Sequence, residues 1–164
     1  MKKLNVKKLP PQIVCHRDAL PAYQFTQLIF CFRSKSAPNK YRIALFARIV
    51  KLNFSVRGGS ECFFEGWMPL LFPAMNISAD KCLITASNIE IRSWLYALHS
   101  ILILSSKDKV IGNLALFFDH APQHIQTRIF GFKLPRTVMA RVIEFSGESR
   151  AAVRHVMNKG KQYD

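Results

Sequence analysis

Acidic side chains are scarce in this chain of 164 residues, which holds 10 Asp and Glu residues against 24 Lys and Arg residues. The shortage is greatest in residues 1–57, where Asp18 is the only acid beside twelve basic side chains, a net charge of +11. Residues 58–164 hold twelve basic and nine acidic side chains and carry only +3. This imbalance predicts that a strongly anionic partner lies against the N-terminal third, with nucleic acid favoured over a membrane surface.

Sequence motifs of the common enzyme classes are also absent. The chain has no Gly-x-Ser-x-Gly turn, no His-Glu-x-x-His helix and no glycine-rich loop of the Walker or dinucleotide-binding type. The tripeptide His16-Arg17-Asp18 matches the start of a protein-kinase catalytic loop, but the Asn that should follow it is missing. Because the acids are few and the histidines dispersed, the sequence predicts a protein that is not an enzyme.

Paired metal ligands are missing as well. Two histidines, His120 and His124, have a spacing compatible with metal ligation, but Pro122 lies between them and no cysteine pair accompanies them. The cysteines form no Cys-x-x-Cys pair, which favours free thiols in a reducing compartment. The four cysteines are Cys15, Cys31, Cys62 and Cys82. We therefore expect no metal site and no cofactor.

Long apolar runs are absent too. The longest, residues 94–104, is interrupted by His99 and Ser100, and a bilayer span needs about 20 mostly apolar residues. We expect a buried helix there and no membrane partner. The N-terminal sequence MKKLNVKKLPP has a charged start but no apolar signal core, and it lacks the Arg- and Ser-rich pattern of a transit sequence. Either a targeting segment has been removed or the protein is made where it works.

The apolar residues that are present predict alternating strands and helices in the first 120 residues. Strands are predicted at 12–16, 81–85 and 109–118. Helices are predicted at 41–54, 123–130, 136–145 and 149–158. Two more helices are predicted to begin at capping residues, one at Asp18 and one at Ser87 or Asn88. Residues 62–72 are predicted to be a helix or an irregular packing segment. This order indicates an α/β (α+β) fold, a small sheet covered by helices with a C-terminal helical arm.

The predicted helix at 41–54 separates apolar from basic residues. Its apolar stripe is formed by Ile43, Phe46, Ala47 and Val50, and its basic residues are Lys40, Arg42, Arg48 and Lys51. Like charges at helical spacing repel one another, and an anionic partner would relieve that repulsion. An ordinary solvated basic face is the alternative.

Three segments resemble the ribosomal stalk-base family, which comprises large-subunit ribosomal protein ten and its P-zero relatives. Residues 13–28 (IVCHRDALPAYQFTQL) are similar to the family's first strand, turn and helix. Residues 41–50 (YRIALFARIV) lie where the family has its next helix, and residues 134–141 (LPRTVMAR) resemble its Leu-Pro segment. The helix from Ser149 falls where the stalk-binding helix of the family begins.

The resemblance implies a structural constituent of the large ribosomal subunit that binds large-subunit rRNA at the stalk base. It implies an α/β rRNA-binding domain at 12–133 and a C-terminal helical segment at 134–164 that anchors acidic stalk dimers, which recruit translational GTPases. Residues 1–11 are a basic tail in place of the N-terminal helix of the family. A neighbouring stalk-base ribosomal protein is a further expected partner. The expected RNA-binding residues are Lys2, Lys3, Lys7, Lys8, Arg17, Arg33, Lys35, Lys40, Arg42, Arg48, Lys51 and Arg57.

In the last helix, Val153, Val156 and Met157 are the expected anchors for the stalk dimers. The alternative is that this helix docks back on its own domain. The composition, rich in Phe and Cys, favours an organellar ribosome, mitochondrial first and plastid second. The alternative function is that of an organellar nucleic-acid-processing or maturation factor.

Overall fold

The computed structural model describes residues 2–5, 13–34, 37–57 and 60–160. It has an α/β fold with a C-terminal helical region, which confirms the expected fold class. The chain forms two compact units, residues 1–104 and residues 105–164. The expected functional boundary at 133/134 therefore lies inside the second unit, because the helices before and after it share one apolar core.

The first unit contains a five-stranded mixed sheet in the order β1-β5-β3-β4-β2. The β1/β5 and β3/β4 pairs are antiparallel, and the β3/β5 and β2/β4 pairs are parallel. The register of β3 and β4 shifts between Asn53 and Phe54, which allows the consecutive residues Phe63 and Phe64 both to be buried. The strands are β1 (Lys2–Asn5), β2 (Val14–Cys15), β3 (Leu52–Arg57), β4 (Ser60–Glu65) and β5 (Ser78–Leu83).

Among the described residues, a short 3₁₀ helix (Pro73–Met75) and four longer helical segments accompany this sheet. The four longer segments are α1 (Leu20–Gln27), which continues as a π-helical turn at Leu28–Phe32, α2 (Lys40–Ile49), α3 (Met68–Leu71) and α4 (Ile89–Leu104). Helix α2 contacts α3, α4 and β5. On its buried side, Phe46 stacks on Tyr96 of α4 with ring centroids 5.2 Å apart, and Tyr96 also packs edge-on against Trp67 at 4.7 Å. The hydroxyl of Tyr96 accepts a hydrogen bond from the backbone N–H of Met68 at 3.1 Å. These contacts fix α2 on the core by one face only.

A single glycine allows the chain to pass close to the end of α2. Gly66 follows β4 with φ +77°, in the left-handed region, and a Cβ placed there would lie 2.7 Å from Cα of Leu52 and 2.5 Å from the carbonyl carbon of Lys51. Real side chains do not tolerate such distances, so only glycine fits here. The approach holds β3, and the end of α2 before it, against the core.

The second unit is entirely helical over the residues that the structure describes. Its helices are α5 (Val110–His120), α6 (Gln123–Phe130), α7 (Val138–Ser146) and α8 (Arg150–Gly160). Phe130 of α6 lies 5.1 Å from Phe118 of α5 and 5.0 Å from Phe145 of α7, measured between ring centroids. Leu114 and Val142 are buried in the same region. These contacts join the first three helices into one core.

A buried glutamine connects the same helices through polar contacts. The amide of Gln126 donates to the backbone oxygens of Phe118 (2.9 Å) and Ala121 (2.6 Å), and its oxygen accepts from the Arg141 guanidinium at 2.5 Å. Arg141 also donates to the backbone oxygen of Pro135 at 2.6 Å. Arg141, in the segment that resembles the Leu-Pro motif, is therefore a structural link between α6 and α7.

Three predicted elements are wrong at the start of the chain. Asp18 does not cap α1, which begins after Ala19 without a side-chain cap. The helix predicted at 41–54 ends at Ile49, because Val50 adopts extended backbone and the alternating pattern from Leu52 forms β3. Residues 62–72, predicted to be a helix or an irregular packing segment, contain most of β4 and the short α3. The strand at 12–16 is confirmed as the short β2, although Gln12 lies outside the described residues.

The strand predicted at 109–118 is also wrong, since residues 110–120 form α5. Leu114, Phe117, Phe118 and Ala121 are buried and have helical spacing, which the almost continuous apolar composition conceals in the sequence. The helix at 123–130 is confirmed at both ends, and the strand at 81–85, the helix after Asn88 and the last two helices are confirmed within a few residues. Among the described residues, no helix is long and apolar enough to cross a membrane.

Candidate nucleic-acid interface

Helix α2 begins at a well-formed cap. The side-chain oxygen of Asn39 accepts hydrogen bonds from the backbone N–H groups of Tyr41 (2.9 Å) and Arg42 (3.3 Å). Asparagine is among the best residues for this role, and the preceding Pro38 favours the extended entry of the chain. The cap fixes the backbone of Tyr41 and Arg42, so their side chains leave the helix from a rigid first turn.

The face of α2 away from the core combines cations with apolar side chains. Lys40, Arg42 and Arg48 are exposed, whereas Ile43, Phe46 and Ala47 on the opposite face are buried. Between Arg42 and Arg48 runs an exposed line with a spacing of four residues. It consists of Tyr41, Leu45 and Ile49. The predicted basic face is therefore present, and it is interleaved with a surface that could contact a partner.

The cations of α2 lack acidic neighbours. Over the part of the chain that the structure describes, no carboxylate lies within ion-pair distance of Lys40, Arg42 or Arg48. The first turn holds no acid either, so Lys40 and Arg42 add to the positive end of the helix dipole, whereas Arg48 lies in the last turn. The combination raises the electrostatic potential at the start of α2, where an anion would be stabilised.

Elsewhere in the first unit, acids compensate several cations. Arg92 pairs with Glu65 at 2.6 Å, Lys81 pairs with Glu61, and Arg17 pairs with its neighbour Asp18 at 3.2 Å. Unlike these three cations, Lys40, Arg42 and Arg48 of α2 have no acid within ion-pair distance among the described residues. The uncompensated charge of α2 would attract a polyanion.

The other expected RNA-binding residues occupy several places. Arg17 and Arg33 are exposed on either side of α1, and Lys51 is half-buried after α2. Lys2 and Lys3 belong to the edge strand β1, and Arg57 ends β3. Lys7, Lys8 and Lys35 lie outside the described residues. Of the twelve expected residues, the structure groups Lys40, Arg42 and Arg48 on one rigid surface.

The expected partner-binding residues of α8 face inwards. Val153 is fully buried, Val156 and Met157 are half-buried, and α8 contacts α5 and α7. A Cβ placed at Gly112 of α5 would lie 3.7 Å from Val156, so the two helices approach closely. In this structure the helix docks back on its own unit, and Val153 is not accessible to a partner. Its outer surface exposes Arg150, Arg154, His155 and Lys159.

Cys15 and His16, two side chains with reactive groups, take part in the local structure just before α1. Burial, with a smaller contribution from Cys62, raises the pKa of Cys15 to about 12, so little thiolate is present near neutral pH. Nδ1 of the buried His16 accepts a hydrogen bond from the backbone N–H of Asp18 at 3.2 Å, which closes the turn before α1. Among the described residues, no three His, Cys, Asp or Glu side chains are placed to hold a metal ion.

Sequence reasoning missed the exposed aromatic side chains. Phe32 ends the π-helical turn, Tyr41 lies in the first turn of α2, and Phe132 lies between α6 and α7, each of them more than three-quarters exposed. In the sequence they are indistinguishable from the many buried aromatic residues. The one available signal is the basic residue that directly follows each of them.

Comparisons of the chain with protein-family models, with curated proteins and with solved structures found no match. Membership of a family is not shown by any of them. The similarity of residues 13–28, 41–50 and 134–141 to the stalk-base family stays a prediction from the sequence. The function is therefore argued from the residues themselves.

Proposed function

We propose that the protein is a structural constituent of an organellar large ribosomal subunit, mitochondrial first, and that it binds rRNA at the stalk base through α2. The observation that carries the proposal is the group of three exposed cations, Lys40, Arg42 and Arg48, with no acidic neighbour among the described residues. The family-like order of segments supplies the particular RNA. Both lines of support meet at the same helix.

The geometry suits contacts to the phosphates of folded RNA. Phosphate contacts by Lys and Arg supply affinity without requiring a base sequence, and double-helical RNA is recognised largely through shape and backbone. Helix α2 is fixed on the core by the Phe46–Tyr96 stack and at its start by the Asn39 cap. The backbone that carries its cations is thus held in place before RNA arrives, so that mainly side-chain freedom is lost on binding.

Acidic stalk dimers and a neighbouring ribosomal protein complete the proposal. Residues 150–160 contain no acid, and Arg150, Arg154 and Lys159 are exposed on α8. Because Val153 is buried, we assign the attraction of acidic dimers to this outer basic surface and not to the apolar residues. A neighbouring stalk-base ribosomal protein is the further partner that the resemblance implies.

Sedimentation of organellar ribosomes through a density gradient tests the proposal. We expect the protein to sediment with mature large subunits at moderate salt and to be released at high salt, since its contacts are mainly ionic. Sedimentation only with immature particles would favour the maturation factor. Recovery at the top of the gradient, while known large-subunit proteins sediment, would contradict both functions.

A further inference from the structure

Among the residues that the structure describes, the three most exposed aromatic side chains share one feature. Tyr41 is 83% exposed, Phe32 is 77% exposed and Phe132 is 93% exposed, and each is followed directly by a basic residue. The following residues are Arg42, Arg33 and Lys133. A folded chain normally buries its aromatic rings, as this one does with Trp67, Trp94 and Phe117. Phe32 and Tyr41 belong to the first unit and Phe132 to the second, and each exposed ring beside a cation indicates a role in binding.

Local structure holds each ring outward. Phe32 is the last residue of a π-helical turn, a rare conformation that often marks functional positions. Tyr41 extends from a first turn fixed by the Asn39 cap. Phe132 follows Gly131, whose φ of +92° turns the chain out of α6 into an open loop.

We infer that Phe32, Tyr41 and Phe132 each stack on an unpaired base of bound RNA while the basic side chain beside each ring contacts a phosphate. The inference rests on the proposed function and makes it more specific, because it requires single-stranded or looped nucleotides in addition to double-helical RNA. A flat ring offers a stacking platform to any base, and an adjacent cation neutralises the phosphate that follows it. Duplex RNA keeps its bases stacked on one another and cannot use such rings.

The charge around the rings favours RNA over a protein partner. Residues 120–143 contain no acid and four basic residues, of which Arg128, Lys133 and Arg136 are exposed around the Phe132 loop. Around the other two rings, no acid occurs between Ala19 and Ser60. A polyanion fits such surroundings, whereas the surface of a typical protein partner carries both signs of charge.

Binding is compared for two RNAs with equal numbers of phosphates, a hairpin with a large unpaired loop and a fully paired duplex. The comparison distinguishes the contribution of base stacking from that of charge. For the full-length chain, we expect each single exchange, Phe32→Leu, Tyr41→Leu or Phe132→Leu, to weaken binding to the looped RNA by about tenfold. Binding to the duplex and the salt dependence should stay unchanged, because no cation is lost. The aromatic exchanges Phe32→Tyr, Tyr41→Phe and Phe132→Tyr should retain wild-type binding.

The loop can also carry 2-aminopurine, whose fluorescence falls when an aromatic ring stacks on it. We expect wild-type protein to quench this signal and the Leu variants to quench it less. Equal affinity of the Leu variants and the wild type for looped RNA would overturn the inference. An equal loss of affinity for the duplex and for the looped RNA would also overturn it. Loss of binding to anionic vesicles, with RNA binding intact, would assign the rings to a membrane surface and overturn it too. Failure of the wild type to bind either RNA would instead refute the proposed function.

Discussion

Replacement of Gly66 by Ala is expected to destabilise the first unit by more than about 3 kcal/mol, enough to unfold most of a marginally stable domain. Two costs add. The residue has φ +77°, where a Cβ is strained by about 1–3 kcal/mol. The new Cβ would also overlap the backbone of Lys51 and Leu52, which no rotamer change can avoid. Since these residues connect α2 to β3, RNA binding should be lost together with folding.

Urea denaturation followed by circular dichroism and by the fluorescence of Trp67 and Trp94 measures this effect. The matched control is Gly112→Ala in α5, where the new Cβ would make an ordinary 3.7 Å contact with Val156. Alanine is the better helix former, so the control should stabilise the second unit by roughly 0.5–1 kcal/mol. A Gly66→Ala protein as stable as the wild type would show that the backbone does not approach Gly66 as described.

Neutralising α2 should have the second largest effect. We consider a variant in which Lys40, Arg42 and Arg48 are all replaced by Gln. The slope of log affinity against log salt concentration for stalk-base RNA should fall in magnitude by about two to three, because fewer phosphate contacts release fewer counterions. At physiological salt the affinity should fall about a hundredfold. Replacing Arg42 and Arg48 alone should reduce the salt slope by roughly two. The fold should be retained, because these side chains are exposed and have no acidic neighbours in the described chain.

A control variant with the same loss of charge distinguishes a specific interface from a generally basic surface. Lys107, Lys109 and Arg154 are exposed in the second unit, away from the Phe132 loop in sequence. Their replacement by Gln should change the salt slope by less than about one. Equal reductions in the two triple variants would show that net charge alone drives binding and would contradict the assignment of α2.

Local patterns in the sequence predict much of the fold, and tertiary contacts decide the rest. The helix at 123–130 lies between Pro122 and Gly131, which mark its ends directly. The opposite holds for α5, whose apolar residues are dense enough to fit a strand or a helix. The early end of α2 is decided by β3, which gains its stability from pairing with β4 and β5, distant in sequence.

The candidate site likewise has features that the sequence predicts and features that depend on tertiary contacts. Charge counting predicts the cations of α2, since their signal lies in composition and spacing. It does not show that Lys81 and Arg92 are neutralised by Glu61 and Glu65 across the fold. Burial of Val153 depends likewise on α5 and α7, and the amphipathic pattern of α8 cannot distinguish its own core from an external partner.

Arginine footprinting tests the central claim most directly. The protein is treated with an arginine-specific dicarbonyl reagent, alone and bound to the stalk-base fragment of large-subunit rRNA, and the modified residues are identified by mass spectrometry. The account predicts that RNA protects Arg42 and Arg48 strongly, while Arg154 on the outer surface of α8 reacts equally in both states. Equal reactivity of Arg42 and Arg48 with and without bound RNA would contradict the claim that α2 is the RNA interface.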